Sequence, residues 1–125
     1  MTALTDAVKD EIQTAYRTWL AARDFKPRRG QRQMIAQIAR SLSADEDRIA
    51  VVEAGTGTGK TAAYCLAAIP LAQSLNKTIV LSTATVALQE QVILQDLPDI
   101  QERAGLKFSL TLAKGRGRYL CLKRL

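Results

Sequence analysis

The chain has 125 residues, 47% hydrophobic and 24% charged, with a formal net charge of +6, which excludes the disordered regime and allows one domain with a real core. Its two cysteines, Cys65 and Cys121, stand far apart in dissimilar surroundings and give no disulfide framework. Acids among the first dozen residues rule out a signal peptide, and the longest apolar run, residues 62–72, is too short to span a bilayer, so a cytoplasmic address is expected.

In chain order, Leu4, Val8, Ile12, Ala15, Tyr16 and Trp19 recur at helical spacing and predict an amphipathic helix over the first twenty-odd residues. Pro27 and Gly30 interrupt it. Met34, Ile35, Ile38, Ala39 and Leu42 then predict a second helix from about residue 31 to 41, and polar residues 43–47 a loop. The β-branched run IAVVEA, residues 49–54, ends in glycines and reads as a buried parallel strand. KTAAYCLAAIPLAQSL predicts a helix that Pro70 kinks or ends. TIVLS, residues 78–82, reads as a second strand, TVALQEQVILQDL as a further helix, and Pro98 as the start of a new turn. FSLTLA, residues 108–113, is a third expected strand, followed by the basic, glycine-broken KGRGRYLCLKRL.

Strand alternating with helix is the pattern of an α/β fold with a parallel sheet flanked by crossover helices. No repeat, low-complexity segment or linker interrupts it. The chain stops after Leu125 without a final element, as a fragment would.

The basic residues cluster. Lys26, Arg28, Arg29 and Arg32 precede the glycine-rich centre, while Lys107, Lys114, Arg116, Arg118, Lys123 and Arg124 follow one another without an acid. Such patches attract phosphate backbones by releasing counterions, and they also occur as ordinary solvated loops.

The centre carries the sharpest signal. Ala54, Gly55, Thr56, Gly57, Thr58, Gly59, Lys60 and Thr61 fit a phosphate-binding loop in which Ala54 replaces the usual first glycine. Glycines let the backbone take positive φ values and turn its N–H groups toward a polyphosphate. Lys60 would set its ammonium against the β- and γ-phosphates, and Thr61 would offer its hydroxyl to Mg²⁺. The amino terminus of the following helix adds partial positive charge.

Hydrolysis needs more than binding. An acid at the end of a neighbouring strand must hold the metal and polarise water, yet the third expected strand ends Leu112, Ala113, Lys114. Asp96 and Asp99, beside Pro98, read as helix caps or solvated acids. Cys65 reads as a small buried hydrophobe.

Arg28 and Gln31 in FKPRRGQRQM, together with AGTGTGKT, LSTATVALQEQ and GRGRYLC, are collinear with the DinG family of superfamily 2 DNA helicases, bacterial relatives of XPD, and the chain resembles that family from about residue 20 onward. The resemblance implies a partial RecA-like P-loop ATPase lobe, with ATP and Mg²⁺ as ligands. It implies that Gln31, with Arg28 beside it, belongs to the element that reads adenine. Thr83, Thr85 and Gln91 would touch phosphates of single-stranded DNA, with capping of the next helix as the competing role of the two threonines. Cys121 would be the first of four ligands to a 4Fe-4S cluster whose other cysteines are absent from this sequence.

On this reading residues 1–46 form a helical segment with the adenine motif, 47–113 a partial ATP-binding lobe, and 114–125 the start of an iron-sulfur region. The expected function is the amino-terminal part of an ATP-dependent 5′ to 3′ DNA helicase serving repair or replication, acting on single-stranded or forked DNA, the 125 residues alone being inactive. The alternative is a stand-alone nucleotide-binding or interaction module.

Overall fold

The computed structural model describes residues 4–46, 48–54 and 59–113. Helices α1 (Asp6–Ala22), α2 (Arg29–Ser43) and α3 (Lys60–Ser74) are followed by α4 (Val86–Gln91), a π-helical turn (Val92–Asp96) and α5 (Leu97–Arg103).

Helix α1 begins where Thr5 accepts a hydrogen bond from the Val8 N–H at 3.3 Å, a cap worth about 1 kcal/mol. It ends earlier than Pro27. Asp24 takes a left-handed conformation, φ 55°, the Phe25 N–H bonds to the Leu20 carbonyl at 2.9 Å and the Asp24 N–H to the Ala21 carbonyl at 3.2 Å. This paired closure needs one left-handed residue, and aspartate tolerates that better than most side chains. Asn76, φ 54°, ends α3 by the same device, with Lys77 bonded to Ala72 at 2.8 Å. Gly30, expected as an interruption, lies instead in the first turn of α2, and Ser43, expected in a loop, is its last residue. The Ser43 hydroxyl donates to the Ala39 carbonyl at 2.6 Å, which satisfies it inside the helix.

Helix α3 is the centre of the fold. Ala63, Leu66 and Ala67 are fully buried, and apolar residues occupy nearly every face, as a helix with packed neighbours all round requires. The stripes of α1 (Val8, Ile12, Ala15, Tyr16, Trp19) and α2 (Ile35, Ile38, Ala39) close on it, and α5 packs against α1 and α3 through Leu97 and Ile100. Pro70 does not end α3. The helix continues to Ser74 with the proline ring buried in the core, so the Leu66 carbonyl loses its usual helical donor while the ring fills space.

The expected sheet is not formed among the described residues: residues 49–54, 78–82 and 108–113 are non-helical and unpaired. Ile49, Val51 and Val80 are 86%, 94% and 86% exposed. A parallel strand is defined by neighbours on both edges, so β-branched composition specifies its propensity without supplying its ladder. The third segment is held by glutamine amides instead. Gln73 Nε2 donates to the Lys107 carbonyl, Gln101 Nε2 to Phe108 at 2.6 Å and Gln89 Nε2 to Ala113 at 3.3 Å. No helix among the described residues is long and apolar enough to cross a membrane.

Candidate nucleotide-binding site

Gln31 is the unusual residue of α2. It occupies the core-facing stripe at 3% exposure, where its neighbours at the same spacing are isoleucines. A buried amide demands partners. Tyr16 on α1 donates its hydroxyl to Gln31 Oε1 at 2.9 Å, and Gln31 Nε2 donates to the Gly59 carbonyl at 3.2 Å. The Tyr16 hydroxyl in turn accepts from the Arg28 N–H at 3.4 Å and so fastens the start of α2 to α1. These bonds use one hydrogen of the Gln31 amide and one lone pair of its oxygen, so the amide retains one further donor and one further acceptor.

Gly59 caps α3 in a left-handed conformation, φ 72°. Its carbonyl also accepts the first helical bond, from Ala63 N–H at 3.0 Å. A Cβ here would run into Gln31 Nε2, so both the dihedral and the approach of α2 require glycine. Residues 28 positions apart are thereby joined at one point, the base-reading candidate on one side and the phosphate candidate on the other.

Around that joint lies a cavity of about 240 Å³ lined by Trp19, Leu20, Phe25, Lys26, Arg28, Gln31 and Gly59. Ligand pockets for drug-sized molecules run to roughly 300–1,000 Å³, so this one suits a planar base better than a whole nucleotide. Its walls are aromatic: the rings of Trp19 and Phe25 meet edge to face with centroids 6.1 Å apart. Phe25 reaches this position because the left-handed Asp24 folds the chain back over the last turn of α1.

Beyond Gly59, Lys60 is the exposed first residue of α3 and Thr61 is half-buried beside it. Both sit at the amino terminus of a 15-residue helix, whose dipole favours an anion. Burial pushes the Tyr64 phenol up, and the nearby Thr61 side chain partly draws it back. Ala54 is half-buried, and Gly55, Thr56, Gly57 and Thr58 lie outside the described residues.

The remaining candidates stand apart. Thr85 caps α4, its hydroxyl accepting from the Leu88 N–H at 3.1 Å, and Thr83 donates to the Thr85 carbonyl at 3.4 Å. Gln91 is exposed at the end of α4, which buries none of its residues and, among the described helices, packs on the π-helical turn alone. Cys121, Lys114, Arg116 and Arg118 lie outside the described residues. Cys65 is buried in α3, and burial, helped by the Asp96 charge, pushes its thiol up to about 12. No cluster of three or more potential metal ligands occurs among the described residues, and the chain's two cysteines cannot by themselves supply the four thiolates of a cluster.

Three functional candidates escaped the sequence reading. Trp19 was indistinguishable from any core position of α1, and Phe25 from a loop residue. Asp99, expected as a cap or a solvated acid, is neither: its carboxylate turns to α1, where it accepts from Trp19 Nε1 and Arg23 Nη1. No local signal marks it, since its partners lie 80 and 76 residues away.

Comparison with known proteins bears directly on this arrangement. The DEAD/DEAH box helicase family model matches residues 28–120, a span that takes in Arg28, Gln31, Gly59 to Thr61 and the α4 region. The chain belongs to the DEAD/DEAH box helicase family. Membership implies a RecA-like P-loop fold. Among its relatives, the ATP-dependent DNA helicases DinG of Salmonella typhimurium and Escherichia coli are each 46% identical to it over 125 residues, which is 98% of this chain and 17% of theirs. That of Photobacterium profundum is 44% identical over 126 residues, 98% of this chain and 18% of its own length. The resemblance to the DinG helicases is therefore borne out, and this DEAD/DEAH chain spans about a sixth of the length of the curated relatives it matches.

Proposed function

We propose that this chain is the ATP-binding start of a DinG-like, ATP-dependent DNA helicase. The observation that supports this most directly is the buried Gln31 amide bonded to the Gly59 carbonyl at the head of α3, with Lys60 and Thr61 following at once.

The chemistry runs outward from that joint. The uncommitted donor and acceptor of Gln31 match the N7 and N6 edge of adenine, the pairing by which an amide reads that base, whereas guanine presents two acceptors there. Phe25 and Trp19 line the cavity proposed for the base, and Arg28 adds charge to its lining. Lys60 would neutralise the β- and γ-phosphates, and Ala54, Gly55, Thr56, Gly57, Thr58 and Gly59 are the residues proposed to bind the phosphate chain through their N–H groups. Thr61 would hold Mg²⁺ through its hydroxyl, and the metal would supply positive charge to the transferring phosphoryl group. Thr83, Thr85 and Gln91 are the residues proposed for single-stranded or forked DNA, with Thr85 and Gln91 exposed on either end of α4 and Thr83 half-buried before it.

Within the longer protein, residues 1–46 would be the adenine-reading segment, 47–113 part of the first motor lobe and 114–125 the entry to an iron-sulfur region with Cys121 as its first ligand. There residues 49–54, 78–82 and 108–113 would gain the neighbours that a parallel sheet requires. Hydrolysis, 5′ to 3′ translocation and a role in repair or replication belong to that longer protein. The 125 residues lack the strand-end acid and the second lobe and would turn over no ATP.

ATPase assays with and without single-stranded DNA test the proposal. DNA-stimulated turnover is expected from the full-length protein, with Lys60→Ala abolishing it, and none from the 125 residues. Unchanged turnover in full-length Lys60→Ala would contradict it.

A further inference from the structure

Asp99 joins three side chains in one polar cluster, and none of the nucleotide chemistry above uses it. One carboxylate oxygen, Oδ2, accepts from Trp19 Nε1 at 2.9 Å and from Arg23 Nη1 at 2.9 Å. The other, Oδ1, takes the Arg103 Nε at 3.0 Å. The carboxyl is only 19% exposed, so these bonds are shielded more than a surface ion pair would be. The Arg23 guanidinium, thus oriented, lies 5.4 Å from the Trp19 ring centroid and 4.8 Å from that of Phe25. Cation and ring face at such distances attract each other, and the attraction strengthens as the pair is desolvated.

These are the two rings that wall the cavity beside Gln31. Phe25 is 43% exposed and sits on the turn after α1, where its ring meets Trp19 and Arg23. The ring thus rests on Arg23, which lies over its face, and on Trp19, which meets it edge to face, and both partners are held by one carboxylate on α5.

We propose that Asp99 is a positioning residue for the base-binding wall, acting from α5 through Arg23 and Trp19 on Phe25. It touches no ligand. With it in place the stacking surface is preorganised before a base arrives, so binding does not have to order Phe25 and Arg23 at that moment. This rests on the nucleotide reading of the site and adds to it a control point remote in sequence.

The test compares two probes on the full-length protein, Mg-ATP and Mg-tripolyphosphate, which share the phosphates and differ in the base. Asp99→Asn keeps an acceptor for Trp19 and removes the charge that holds Arg23. It should weaken ATP binding about fivefold, the worth of one partly exposed cation–ring contact, and leave tripolyphosphate unchanged. In a Phe25→Ala background the same substitution should have no further effect on ATP, because coupled residues are not additive. Arg23→Ala, at a partly exposed position, should reproduce the pattern and serves if the Asp99 variant does not fold. A parallel loss of both probes, or full additivity with Phe25→Ala, would reduce Asp99 to general stability and overturn the inference. Failure of the unaltered protein to bind either probe would instead overturn the nucleotide reading, and this inference with it.

Discussion

The two ends of the candidate site are built by opposite means. The phosphate end is local: Gly59, Lys60 and Thr61 are consecutive, placed by the start of a single helix. The base end is assembled from distant parts of the chain, with Tyr16 and Trp19 from α1, Phe25 from the turn after it, Gln31 from α2 and Asp99 from α5. A helix terminus binds anions by backbone geometry that any suitable sequence can supply. A base-reading wall needs side chains from several elements to agree on one position, and so it depends on the packing of the whole helical core.

If that difference is real, damage to the core should reach both ends, and changes at the joint should separate from changes away from it. Leu66→Ala empties a fully buried position at the centre of α3 and should cost about 2–5 kcal/mol of stability, visible as a lower denaturation midpoint. Because α3 carries the phosphate end and supports Gln31 through Gly59, affinity for ATP and for tripolyphosphate should fall together. Gly59→Ala acts at the joint itself. The left-handed conformation alone costs a β-carbon roughly 1–2 kcal/mol, and Gln31 must also move aside. A fall in melting temperature together with loss of ATP preference is expected, and a variant that keeps both would show that the two ends are not joined there.

The smallest effect belongs to Asp96, in the π-helical turn, which is not among the residues that line the cavity. Burial first, and the Asp99 carboxylate second, raise its pKa above the ordinary value of 3.8. A carboxyl whose pKa is higher folded than unfolded favours the native state while protonated, below the unfolded value, and loses that contribution as pH rises through the folded value. Asp96→Asn should therefore raise the melting temperature slightly at neutral pH, with the gain fading as pH falls toward 3.8, and leave nucleotide affinity unchanged. A gain that grows in acid would reverse the sign of the argument.

What the sequence made legible follows the same division. Helices α1, α2 and α3 were visible because their apolar residues repeat at helical spacing, and the turn at Pro98 because proline suits a helix start. Cys65 was placed in the core correctly for the same local reason. The end of α1 was misread as the work of Pro27, since an aspartate in a left-handed closure carries a weaker signal than a proline. The sheet was expected from β-branched runs, whose pairing depends on partners no single segment encodes. The Trp19, Arg23 and Asp99 cluster was invisible because it is made by packing α5 on α1.

The most direct test of the joint between base and phosphate is calorimetric. Mg-ATP and Mg-GTP titrated into the full-length protein should show a clear preference for ATP, and Gln31→Ala should erase that preference while retaining triphosphate binding. Equal affinity for the two nucleotides in the unaltered protein, or a preference that survives the loss of the Gln31 amide, would contradict the account.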